Sequence, residues 1–217
     1  QKFDRNFVFL LIGITLTFLS LTAPVQLEGN YITLFWAAEC VLLFWFYQQS
    51  GISLAKLTAS IILILALISL LMDWAQVYSD SAVKLSVIIN KGCITGIAVS
   101  IAYTIFYRLL YKEANTYFLS KITVQWVKSG LLSTVSLLLL IVGILEIQHQ
   151  FLNRFPETNL HYIYLQLYVA FYITSLFWVL SVLYIKIDPY IRLAVPLLVI
   201  IVYFFNIPNC YKEEQSI

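Results

Sequence analysis

Ser136-Leu137-Leu138-Leu139-Leu140-Ile141-Val142-Gly143 presents apolar side chains in every direction. Inside a hydrocarbon layer only α-helices and closed β-barrels satisfy their own backbone hydrogen bonds. A barrel strand alternates between lipid and a wet lumen, which forces a polar residue at every second position. This run does not alternate, so it belongs to a membrane helix. It lies within a longer apolar stretch, 131–147, and six others resemble it: 6–23, 31–47, 54–72, 93–110, 162–184 and 191–205. A spanning helix needs roughly 17–25 mostly apolar residues. The second and last stretches are short and leave little room for tilt. The expected fold is therefore all-α: a polytopic transmembrane helical bundle of about seven spans, forming a single domain over 1–217.

Composition agrees. Hydrophobic residues make up 61% of the chain and charged residues 11%, with a mean hydropathy of +0.88. A water-soluble globule could not cover itself with so little polar surface. The net charge of +2 says little, but its placement says more. With the amino end inside, the inner segments hold Lys2, Arg5, Lys56, Arg108, Lys112, Lys121, Lys128, Lys186 and Arg192. The outer segments hold Lys84, Lys91, Arg154 and Lys212. Nine inner cations against four outer ones place the amino end in the cytoplasm. Cys40, Cys93 and Cys210 have no paired spacing and read as small buried hydrophobes rather than a disulfide framework. The chain opens without Met and enters its first span within a few residues, as expected of a portion of a longer protein.

Two stretches are more hydrophilic. Residues 73–92 carry Trp74 and Tyr78 and, on the amino-end-in topology, lie outside, with the expectation that they follow the membrane interface. Residues 111–128 mix Tyr117, Phe118 and Trp126 with Lys112, Lys121 and Lys128 on the inside. Anionic headgroups would attract those lysines at about 1 kcal/mol each; a plain positive-inside anchor is the simpler and preferred account. Tyr31-Ile32-Thr33-Leu34 and Tyr162-Ile163-Tyr164-Leu165 open two spans after Pro-containing outer loops, a short echo that chance also explains.

Glu39 is the most costly residue. It stands at the centre of 31–47 among Phe35, Trp36, Leu42, Leu43 and Phe46. A carboxylate at bilayer depth costs at least about 2.5–3.5 kcal/mol, so it must face the bundle interior and either pair or take up a proton. That is what a proton-coupled carrier needs; a neutral Glu hydrogen-bonded between helices is the structural alternative. A second feature is a polar-aromatic stripe, His161, Tyr164, Tyr168, Tyr172 and Ser175, whose spacing puts it on one helix face. It suits a groove for a sugar or lipid headgroup, or ordinary interhelical hydrogen bonding. Glu146-Ile147-Gln148-His149 is a Glu-x-x-His, half of a di-metal bundle motif. No second copy exists, and His149 and His161 are the only histidines. No metal or cofactor is expected, and no phosphate-binding loop, nucleophile elbow or basic nucleic-acid stripe is present.

Residues 23–45 contain Pro24, Gln26, Leu27, Gly29, Thr33, Leu34, Trp36, Ala37, Glu39 and Trp45 in one pattern. Asn90-Lys91-Gly92 followed by Ile94-Thr95-Gly96 opens a later span. Both features resemble the bacterial multi-spanning predicted membrane proteins grouped as domain of unknown function 2339. The resemblance covers about twenty-five residues firmly. It implies the bacterial inner membrane and makes Glu39 part of a pattern, but it implies no activity.

These readings converge on a non-enzymatic role: handling or transporting a small or lipid-like solute, with Glu39, His161, Tyr164, Tyr168 and Tyr172 lining the interior. One alternative is an envelope enzyme acting on a lipid-linked substrate at the outer face through Asp73, Glu146, His149 and His161. Another is a structural subunit of a membrane complex. The expected partners are the lipid bilayer and other membrane subunits, with no nucleic acid.

Overall fold

A computed structural model describes residues 5–79, 85–113, 116–119, 122–154, 160–183, 190, 194, 196–199 and 201. Among these residues six helices carry the fold: α1 (Arg5–Gln26), α2 (Asn30–Ser50), α3 (Ser53–Ser79), α4 (Lys91–Leu110), α5 (Val124–Arg154) and α6 (Leu160–Leu183). Five of them, α2 to α6, are long and apolar enough to cross a membrane, while the apolar part of α1 is shorter. The expected span at 191–205 lies mostly outside the described residues. A two-stranded antiparallel hairpin, β1 (Tyr117–Leu119) and β2 (Ile122–Thr123), interrupts the helices and was not anticipated from an all-helical pattern.

The helices overrun the apolar stretches that announce them. Hydropathy ends a span at the first cluster of polar residues, but the backbone ladder continues until a cap stops it. Helix α2 thus runs through Gln48 and Gln49 to Gly51, whose left-handed φ of 73° ends the helix and whose N–H returns to the Tyr47 carbonyl at 2.8 Å. Helix α3 continues past Asp73 to Ser79. The first part of the 73–92 stretch is thus a continuation of α3, with Asp73 and Trp74 buried. The Trp74 indole N–H donates to the Gly92 carbonyl at 3.0 Å. Asn90 caps α4, its Oδ1 accepting from the Cys93 N–H at 2.8 Å.

The chain divides into two compact units, one formed by Gln1–Asp80 with Ile89–Leu139, the other by Ser81–Ile88 with Leu140–Ile217. In the first unit α2, α3 and α4 form the core. Small residues allow close approach: Ala55, Ala59 and Ala66 on α3, and Gly92, Gly96 and Ser100 at four-residue spacing on α4, are all buried. Without a hydrophobic drive between helices in lipid, such seams gain stability through van der Waals contact. Tyr103 on α4 donates its hydroxyl to the Leu63 carbonyl of α3 at 2.7 Å. Cys40 and Cys93 are buried, in keeping with the hydrophobe reading.

Candidate functional site

Glu39 sits on the face of α2 that also carries Trp36, Leu43 and Phe46, at spacings of three, four and seven residues. It is 2% exposed. Its Oε1 accepts a hydrogen bond from the Ser20 hydroxyl of α1. Its Oε2 is buried and has no hydrogen-bond partner among the described residues. Helix α1 is built to bring Ser20 there. Pro24, inside α1, has no N–H to return to the Ser20 carbonyl four residues back, which loosens the ladder at that point.

Beside this pair lies a half-open chamber of about 690 Å³ between α1, α2 and α3, within the range of small-molecule sites; Phe18 and Leu54 in its walls are 66% and 67% exposed. From α1 it is lined by Gly13, Phe18, Ser20 and Pro24; from α2 by Trp36, Leu43 and Phe46. The opening half of α3 supplies Ala55, Thr58 and Ile62. Glu39 itself is not among the lining residues; it lies behind Ser20, which lines the chamber and bonds its carboxyl. Gly13 contributes by lacking a side chain: a Cβ built there meets nothing within 4 Å.

A second polar cluster closes the turn end of the same unit. Lys56 Nζ lies 3.5 Å from Glu113 Oε1, with side-chain exposures of only 6% and 4%. The Tyr47 hydroxyl donates to the same Glu113 oxygen at 3.0 Å. The Lys56 ammonium also stands 4.9 Å from the Tyr47 ring centroid and 4.6 Å from that of Phe118, within cation–π range. Phe44 stacks on Phe106 at 4.3 Å and tilts against Phe118 at 6.0 Å. Lys56, counted above among the inner-side cations, is paired within the bundle. A polar pocket of about 320 Å³ adjoins, lined by residues including Gln48, Lys112 and Glu113. Sequence reasoning missed the pair, although a lysine placed just inside an apolar span was the available signal.

No protein-family model, curated protein or solved structure matches this chain. The residues themselves must carry the functional reading.

The remaining candidates divide between the units. Asp73 belongs to the first, where the Thr33 hydroxyl donates to its Oδ2 at 2.5 Å and Ser69 lies 2.6 Å from Thr33. This ties α2 to α3 and occupies the carboxylate in helix packing. Glu146, His149, His161, Tyr164, Tyr168 and Tyr172 belong to the second unit. There Glu146 Oε1 accepts from the Ile88 N–H at 2.9 Å and from Gln150 at 3.1 Å. Gln150 in turn donates to the Leu85 carbonyl at 3.2 Å. Glu146 thus holds down a segment whose Ile88 has a φ of 64°, an unfavourable backbone for a β-branched residue. His149 Nε2 accepts from the Asn153 amide at 2.8 Å. No group of three or more His, Cys, Asp or Glu side chains suited to a metal ion occurs among the described residues.

The sixth-helix tyrosines make ring contacts within this unit. Tyr164 stacks on Phe151 at 4.5 Å, and Tyr168 and Tyr172 tilt together at 6.1 Å. His161 lies against Tyr162 at 3.9 Å. A Cβ added at Gly143 would overlap the Tyr168 ring and hydroxyl. Gly143→Val is therefore expected to destabilise this pair of helices by about 1–3 kcal/mol, and truncating Tyr168 to Ala in the same chain should recover part of the loss. Unfolding in a detergent–SDS titration reads both; equal midpoints for Gly143→Val and the parent would contradict the contact.

Proposed function

We propose that this chain is an integral protein of the bacterial inner membrane that takes up a small or lipid-like solute in the chamber between α1, α2 and α3. The amino end and the α2–α3 turn are assigned to the cytoplasmic side. The observation carrying this reading is the apolar volume of about 690 Å³ set beside a buried carboxyl with one unpartnered oxygen. Apolar walls give binding energy through area removed from water, at roughly 25 cal/mol per Å². The Glu39–Ser20 pair provides the polar contact that fixes orientation. The resemblance over 23–45 supports the same location and the same emphasis on Glu39. Neither Glu146 nor His149 is assigned chemistry here, because both are engaged in holding their own helix and its neighbouring segment.

Occluding the chamber tests this reading. Gly13→Leu places side-chain bulk into open space, and leucine is a better helix residue than glycine by roughly 0.8–1 kcal/mol. The variant is expected to fold at least as well as the parent while losing saturable binding of radiolabelled dodecylamine by the purified chain in detergent. Unchanged binding would place the solute elsewhere.

A further inference from the structure

We propose that the chamber selects lipophilic cations: its ligand is a single-chain amphiphile whose ammonium head meets Glu39. The proposal rests on the solute-chamber reading above and adds the chemistry of the head. Three observations converge on it. First, Glu39 is enclosed, with Oε1 occupied by Ser20 and Oε2 without a partner among the described residues. The salt bridge found among those residues joins Lys56 to Glu113, so no protein cation there balances Glu39. Second, the neighbours of Glu39 on its own helix face, Trp36 and Leu43, both line the chamber, as does its hydrogen-bond donor Ser20. A head seated between them reaches the carboxyl by displacing a serine hydroxyl, which needs only a rotation about one bond. Third, the lining includes the rings of Phe18, Trp36 and Phe46, whose π faces attract a cation and do so more strongly away from water.

Charge decides among head types. A buried carboxylate without a counter-charge is costly in hydrocarbon, and an ammonium supplies that counter-charge together with N–H donors for Oε2. A hydroxyl head supplies a donor but leaves the charge uncompensated. A carboxylate or phosphate head adds a second negative charge to the first. The apolar lining then takes the alkyl chain, while the acid takes the head.

The test compares two probes with the same chain and different heads, dodecylamine (an ammonium at neutral pH) and dodecanol, on the purified protein in detergent. Saturable dodecylamine binding at one site per chain is expected, at least tenfold tighter than dodecanol. Glu39→Gln keeps a side-chain acceptor for Ser20 and removes the charge; it should erase the preference for the amine over dodecanol. Equal affinity for the two probes on the unaltered chain overturns the proposal without recourse to any variant. So does an amine preference that survives Glu39→Gln. If neither probe binds saturably, the chamber reading itself falls, and with it this inference.

Discussion

Lys56→Ala is expected to destabilise the first unit by about 3–5 kcal/mol, the cost of leaving one member of a buried ion pair without its partner. Glu113 would then lose its cation while remaining buried, with the Tyr47 hydroxyl still 3.0 Å away. The loss should be far smaller when both charges are removed together. Lys56→Met with Glu113→Gln deletes the ion pair while keeping volume and an acceptor for Tyr47, and such replacements are often neutral or stabilising. The double variant is thus expected to lie much closer to the parent than the sum of its single changes, which is the mark of a direct interaction. SDS-titration midpoints in a mild detergent read this cycle. Additive single effects would mean that Lys56 and Glu113 do not meet. Because Gln48 also donates to the Leu109 carbonyl at 2.7 Å, this end of the bundle ties the close of α2 to α4 by side-chain bonds, and its opening is the first structural failure to expect.

Glu39→Leu should do the opposite and raise stability. The substitution removes a carboxyl that costs at least about 2.5–3.5 kcal/mol at bilayer depth, against the loss of one hydrogen bond from Ser20, worth roughly 0.5–1.5 kcal/mol. A net gain of about 1–3 kcal/mol follows from those two figures. Binding of the solute should disappear at the same time. A residue that lowers stability where it stands, and whose removal abolishes function, is the pattern expected of a site rather than a scaffold. Should the Leu variant be less stable than the parent, Glu39 is a structural cross-link between α1 and α2. Should it be more stable with full binding, the carboxyl has no part in the chamber.

Five of the seven expected spans were legible as helices of spanning length, because hydrocarbon imposes one demand, length of apolar chain, which residues such as Leu137–Leu140 meet without ambiguity. Helix ends were not, since polarity at Gln48 or Asp73 marks the end of the apolar stretch and not of the backbone ladder. The burial of Glu39 was equally legible: an acid in that position has to turn inward. Its partner was not, because nothing in α1 singles out Ser20 above Thr15, Thr17 or Thr22, whose hydroxyls in fact bond back to their own helix. The chamber was invisible for a related reason. Empty volume arises from how three helices fail to fill the space between them, and Gly13 takes on meaning only once α2 and α3 stand opposite. Asp73 shows the converse error. Read as an outer-face ligand from its place beyond the apolar run, it is bound to Thr33 within the bundle. Lys56 and Glu113 are far apart in sequence, and no periodicity joins them.

The central claim is that the Glu39 carboxyl, behind Ser20, is reached from the half-open chamber between α1, α2 and α3 and not from the surrounding lipid. A density map of the protein in lipid nanodiscs tests it most directly. The account predicts ordered density between α1, α2 and α3, with its polar end within hydrogen-bond reach of Glu39 and its apolar length along Trp36, Leu43 and Phe46. A map in which α1 packs tightly enough to close that volume, or leaves α2 so that acyl tails lie against Glu39, would contradict it.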